Sequence, residues 1–447
     1  MHINRNAYQD LLNWKQTSQG SSALLIEGAR RVGKSYLARD FASKEYRSFI
    51  YIDFSNLNPE VLSVFNDYSH DLNIFFSRLS LLYKTKLHER ESCFIFDEVQ
   101  LFPKARQLIK HLVADGRYDY IETGSLISIK RNVQDIVIPS EEVSLQLNPL
   151  GFDEFLNAIG EESALDLIKA HFEKQAPLGD ATNRAFMKLL RLYMLVGGMP
   201  QAVSRYADTH DLLAVRQIQK NILNLYRADI AKYAQGYELK VRAIFDEIPS
   251  QLARHEKKFK LSSLNKNARL RQYEDAFMWL ADSKIINICF NSTDPNVGLQ
   301  MNLDRTTLKC YMADTGLLTA MATNDDSLSE EDIINAILYN KLSINEGMFF
   351  ENVVAQQLKG GKHHLFFHSQ YLQDKSKKSL EIDFLIRDKK KISPIEVKSG
   401  AYHSHASLDT FIEKYSSRLG KKYIVYTKDL KREGELIYLP AYMAWLL

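Results

Sequence analysis

Short apolar runs punctuate the first 160 residues: Ala23 to Ile26, Phe49 to Asp53, Cys93 to Asp97, Tyr118 to Ile121 and Val143 to Leu147, each set off by a longer stretch of helical pattern. Runs this short and apolar predict strands buried on both faces, and their alternation with helices predicts a parallel sheet, so residues 1–160 read as an α/β core. Residues 161–237 are almost wholly helical in pattern. Within them Gly197-Gly198-Met199-Pro200 must stop one helix and turn the chain sharply. From 238 to 320 the pattern predicts three helices and then two β-like runs, 284–290 and 308–312. After the acidic stretch 324–332, residues 335–447 predict a helix at 345–358 and strands near 364–367, 381–386, 392–398 and 422–426, a second α/β unit.

Composition narrows the function classes. The chain has 447 residues, 45% hydrophobic and 25% charged, which suits folded domains throughout and excludes disordered or fibrous readings. Lys+Arg 58 against Asp+Glu 55 leaves a net charge of +3, so no global field draws nucleic acid or membrane, and any basic surface is local. Cys93, Cys289 and Cys310 lie far apart in apolar runs with no zinc spacing, and read as buried core thiols of a protein from a reducing compartment. No stretch approaches the ~18 apolar residues a membrane helix needs. The N-terminal residues contain no apolar secretion core. A cytoplasmic location with no membrane partner is the expectation.

Gly28-Ala29-Arg30-Arg31-Val32-Gly33-Lys34-Ser35 fits G-x4-GK[ST], and it stands between a strand and a helix. Glycines there let backbone N–H groups wrap a phosphate chain, and the helix N-terminus adds partial positive charge. Lys34 reaches the terminal phosphates and Ser35 ligates Mg²⁺. The residues point to ATP and Mg²⁺. Cys93-Phe94-Ile95-Phe96-Asp97-Glu98 supplies the other half: an apolar strand ending in two carboxylates at the sheet edge where ligands of α/β sheets bind. Asp97 would hold the Mg²⁺ shell and Glu98 would polarise the attacking water. A further strand ends in Thr123-Gly124-Ser125. If that strand lies beside the one before the glycine-rich loop, Thr123, favoured over Ser125, senses the γ-phosphate. A turn capping the next helix is the other reading.

Together with Asn148-Pro149-Leu150-Gly151-Phe152, Glu154-Phe155 and the Gly197–Pro200 turn, these motifs resemble, over nearly the whole chain, the prokaryotic AAA-type P-loop ATPases that carry a C-terminal domain of unknown function. The resemblance implies ATP hydrolysis, with 161–237 as a helical lid. Many relatives carry a Gly-Arg pair where this chain has Ile138-Pro139-Ser140-Glu141-Glu142. The arginine finger is therefore unassigned, Arg131 being the nearest candidate and an ordinary surface arginine the other reading.

The helices and β-like runs of 238–320 resemble a winged helix. Residues 254–271 there carry a net +6, from Arg254, Lys257, Lys258, Lys260, Lys266, Arg269 and Arg271 against Glu256. Such a patch either contacts DNA phosphates or is a solvated face or protein-partner site.

In the last unit Glu351 is expected on a helix, Asp383 on one strand, and Glu396 and Lys398 two apart on another and so on one face. Two carboxylates can hold Mg²⁺ while a lysine activates water, and the set resembles the PD-(D/E)xK nuclease fold, a restriction-endonuclease-like α/β domain. Residues 359–398 carry a net +5, which fits a phosphate surface. The domain either cleaves nucleic acid or keeps the fold without cleaving. His403 and His405 read as surface residues. A homo-oligomer or a protein partner is also consistent with the resemblance.

Overall fold

The computed structural model describes residues 3–124, 140–254, 258–323, 329–338, 346–371, 379–399 and 405–447. Ser125, Arg131, Lys257 and His403, singled out above, lie outside them. Two units are separable, Asn4–Asn148 and Pro149–Leu447 with the first three residues.

In the first unit, β1 (Ala23–Gly28), β2 (Ser48–Asp53), β3 (Ser92–Asp97), β4 (Asp119–Gly124) and β5 (Glu142–Leu147) form one parallel sheet in the order β2-β3-β4-β1-β5. The expected neighbour relation of β4 and β1 holds. The helices among its described residues are α1 (Ala7–Ser18), α2 (Lys34–Glu45), α3 (Pro59–Asp67), α4 (Leu72–Leu82) and α5 (Pro103–Asp115). Every residue of β3 is buried, the property that its unbroken apolar run signalled. An aromatic cluster fills one side of the core. Phe65 meets Phe75 edge-on at 5.1 Å and Phe96 at 5.9 Å, the offset geometry that ring quadrupoles favour.

The second unit begins with helices: α6 (Phe152–Ala158), α7 (Glu162–Lys174), α8 (Asp180–Val196), α9 (Pro200–Thr209), α10 (Leu212–Tyr233) and α11 (Glu238–Ala253). The glycine turn ends α8 as expected. Gly197 has φ +73°, and Pro200 opens α9. A Cβ on Gly198 would lie 2.2 Å from the Leu150 carbonyl oxygen, so no other residue fits against the Pro149-Leu150 segment. There Leu150 N–H donates to Gly198 O at 2.7 Å.

After α12 (Glu274–Asp282) come β6 (Ile286–Ser292), β7 (Leu303–Met312), α13 (Thr315–Ala322), α14 (Glu330–Leu338), α15 (Gly347–Gly360), β8 (Phe366–Tyr371), β9 (Ser379–Asp388), β10 (Lys391–Val397), α16 (Ala406–Tyr415), β11 (Lys422–Tyr426), β12 (Lys431–Glu433) and β13 (Leu436–Pro440). All eight strands share one sheet, β12-β13-β11-β10-β9-β8-β6-β7. This differs from the separate winged domain expected over 238–320. The β6–β7 hairpin exists, but Phe290 and Asn291 of β6 pair with Phe366 and Phe367 of β8, which makes the hairpin the edge of the C-terminal sheet. Nor does 254–271 form the expected helices. Its described part holds two short 3-10 turns, Leu261–Ser263 and Leu270–Gln272, because the polar run lacks a 3.6-residue apolar period and Asn265 closes a local turn on the Asn267 N–H.

Candidate nucleotide site and a second carboxylate cluster

The glycine-rich loop leaves β1 at Gly28 and enters α2 at Lys34. A Cβ on Gly28 would lie 2.4 Å from Leu147 O of the neighbouring strand, and Gly33, which precedes α2, has φ +98°. Both positions need glycine. Arg31 also takes a left-handed φ of +70° and the Val32 N–H donates to Ala29 O at 3.3 Å, so the loop coils tightly. Arg30 and Arg31 are exposed, whereas Ala29 and Val32 are buried and anchor the loop. Lys34 donates to the carbonyls of Gly28 at 3.0 Å and Ala29 at 3.1 Å, which holds its ammonium in the loop.

Asp97 ends β3, where Asp53↔Asp97 and Phe96↔Glu122 are paired in register. Its Oδ1 accepts from Ser35 Oγ at 2.7 Å and from Thr123 Oγ1. Its Oδ2 accepts from Tyr51 of β2. Ser35 and Asp97 are 62 positions apart in sequence yet in direct contact, and their oxygens suit a hard cation such as Mg²⁺. Glu98 has φ +53° and its carboxylate accepts from Gln100 Nε2 at 2.5 Å. Its N–H donates to Thr123 Oγ1 at 3.4 Å. The structure therefore brings Gly28 through Ser35, Asp97, Glu98 and Thr123 to the C-terminal edge of one sheet. Sequence reasoning missed Tyr51 and Gln100. Burial, then the bond to Asp97, pushes the Tyr51 phenol well above its ordinary range, so it stays a donor.

Comparison with known families agrees with this geometry. Residues 20–156 match the AAA domain model. This segment is similar to P-loop domains of AAA type. Residues 187–328 and 346–442 match two domains of unknown function, DUF8612 and DUF4143. No curated protein matches the chain. Among solved structures, the Walker-type ATPase of Pyrococcus abyssi is 15% identical, with 72% of this chain and 96% of that one covered and a TM-score of 0.40. The Aeropyrum pernix Orc1 protein in complex with DNA is 12% identical, covering 72% and 93% with a TM-score of 0.27. Cdc6p from Pyrobaculum aerophilum is 12% identical, covering 76% and 97% with a TM-score of 0.27.

The other candidate residues meet in the second unit. Ile395 of β10 pairs with Phe384 of β9, so Asp383 and Glu396 take adjacent positions on antiparallel strands. Val397 N–H donates to Asp383 Oδ2 at 2.9 Å. Glu396 and Lys398 form an ion pair at 2.5 Å. Burial pushes Glu396 above the usual carboxylate range against the pull of Lys398. Glu351, on α15, accepts from the Tyr311 hydroxyl at 3.0 Å. Lys309 and Glu381 were not among the residues assigned to the site from the sequence. Lys309 of β7 lies 2.9 Å from Glu381 and 3.2 Å from Asp383, with Glu351 at 3.9 Å. Although burial opposes its charge, those carboxylates hold the ammonium above its ordinary range.

The basic segment is divided. Lys258 reaches Glu381 at 3.5 Å and Arg254 reaches Glu247 at 3.4 Å, while Lys260, Lys266, Arg269 and Arg271 are exposed. His405 is part-exposed, 2.6 Å from Asp409. The three cysteines are free and buried, and among the described residues no helix is long and apolar enough to cross a membrane.

Proposed function

We propose that the protein binds ATP with Mg²⁺, hydrolyses it, and relays its nucleotide state through the helical segment to the C-terminal domain. The observation that carries this reading is the meeting of Ser35, Thr123 and Asp97 beside the loop that holds Lys34. The loop N–H groups and the α2 N-terminus bind the phosphates, and Lys34 neutralises charge that develops on the transferred group. Ser35 and Asp97 would hold Mg²⁺, which supplies further charge neutralisation when bound. Glu98 positions the attacking water and accepts its proton, while Thr123 reports the terminal phosphate to the Asp97 network. Mg²⁺-dependent ATP turnover by the purified chain, lost in Lys34→Ala, tests the assignment. Unchanged affinity and turnover in that variant would overturn it.

The Gln100 contact supports a second reading, a slow switch that regulates a protein partner, since a base held by a neighbouring amide must be released before it works. Faster turnover in Gln100→Ala is its signature. For DNA, the exposed Lys260, Lys266, Arg269 and Arg271 support phosphate contacts without base reading. Replacing the four by Ala should then flatten log K against log[salt] by about 0.9 per lost contact, with sequence preference unchanged. A DNA nuclease acting in defence or repair is the further alternative. The order α15-β8-β9-β10-α16-β11 supports the nuclease-like reading of the fold.

A further inference from the structure

The carboxylates that a nuclease of this kind would offer to a divalent ion already surround a cation. Lys309 is 1% exposed in its side chain, its Nζ lies within 4 Å of carboxylates of Glu351, Glu381 and Asp383, and the Phe367 ring closes over it at 5.1 Å. We propose that Lys309 is the resident cation of this cluster, and that Glu351, Asp383 and Glu396 hold no divalent metal. A buried ammonium is retained only where carboxylates compensate its desolvation, and here three do so. Other donors meet the same carboxylates. Tyr311 donates to Glu351, the Val397 N–H to Asp383, and Lys258 reaches the second oxygen of Glu381. Lys398 holds Glu396.

A divalent ion bound to Asp383 Oδ1 would share that oxygen with an ammonium that has no solvent to retreat into, because Lys309 projects from the interior of β7. Among the described residues no three His, Cys, Asp or Glu side chains are disposed to hold a metal ion. Glu396 Oε2 is buried without a hydrogen-bond partner. Mg²⁺ keeps several waters and is held by one or two carboxylates, but the other Glu396 oxygen is paired with Lys398 and Asp383 Oδ1 with Lys309, so no second carboxylate oxygen is offered beside this one. The residues do not fit the metal of phosphodiester hydrolysis, and the cluster is a charge-paired core of a non-cleaving domain.

The test is Mn²⁺ binding by the nucleotide-free full chain, read by electron paramagnetic resonance, which keeps the outcome independent of the ATPase reading. Wild type, Asp383→Asn and Glu396→Gln should bind equally little. Lys309→Met should gain one bound ion, removed again by adding Asp383→Asn. A wild-type ion that both carboxylate variants abolish would overturn the proposal, as would Mn²⁺-dependent DNA cutting by wild type that Lys398→Ala abolishes. Those two readings need no Lys309 variant and stand even if Lys309→Met does not fold.

Discussion

Asp97 and Asp383 both sit on sheet strands, but their partners differ in kind. Three neutral hydroxyls, from Ser35, Thr123 and Tyr51, satisfy Asp97, while Lys34 donates to two neutral carbonyls. Asp383 is met by the Lys309 ammonium and a backbone N–H. Neutral donors can turn away when a phosphate and a cation arrive, because no buried charge is stranded by their leaving. An ammonium with nowhere to go cannot. The first arrangement holds its charge ready for ligands, and the second spends it on the fold.

The largest expected effect follows from that difference. Lys309→Ala leaves carboxylates buried without their cation, and should cost about 3–5 kcal/mol of stability in the second unit, measured by denaturant unfolding. A loss under about 1 kcal/mol, the range of exposed pairs, would show that the cluster is solvated. Asp97→Asn should do the reverse. The amide oxygen can still accept from Ser35 and Thr123 while its NH2 donates to the Tyr51 oxygen, so unfolding should be nearly unchanged, while ATP turnover falls on the order of 10²–10³-fold, as when one charge-stabilising group is lost. Turnover at the wild-type level would remove Asp97 from the chemistry.

Residue spacing made the first of these sites legible and hid much of the second. Gly28 to Ser35 is contiguous, and Asp97 closes an apolar run, so local pattern alone brings them to one sheet edge. The alternation of Glu396 and Lys398 likewise put them on one face. Lys309, however, stands in Leu308-Lys309-Cys310-Tyr311, where an alternating lysine reads as a solvent face. What buries it is a carboxylate 74 positions away on a strand that is not its neighbour in the sheet. The wing failed similarly. A hairpin is a local object, but its attachment to the C-terminal sheet is two residue pairs between β6 and β8, which no sequence window contains.

A third carboxylate extends the contrast. Asp314 is wholly buried, and accepts from the N–H groups of Gly198 and Leu317. Burial pushes it up to about 6 from 3.8, against those hydrogen bonds. The folded state therefore holds this proton more tightly than the unfolded chain does. Its contribution to stability is fully present below about pH 4 and lost as pH rises through about 6. A shift of about two units corresponds to about 3 kcal/mol. Asp314→Asn should erase that slope in a stability–pH profile. Parallel profiles for variant and wild type across pH 4–6 would rule it out.

The smallest effect is the most discriminating for the hydroxyl network. Tyr51→Phe removes one neutral donor from Asp97 while leaving Ser35 and Thr123 in place. Net hydrogen bonds of this kind contribute about 0.5–1.5 kcal/mol, more where the acceptor is charged. Unfolding of the first unit should shift by about that much, with ATP affinity within about twofold, since the phenol is one of three replaceable partners and no phosphate is expected to touch it. Turnover should fall by less than the Asp97→Asn loss. If Tyr51→Phe instead abolishes turnover, the phenol is fixed machinery, and the contrast between yielding hydroxyls at Asp97 and an unyielding ammonium at Asp383 fails at its first term.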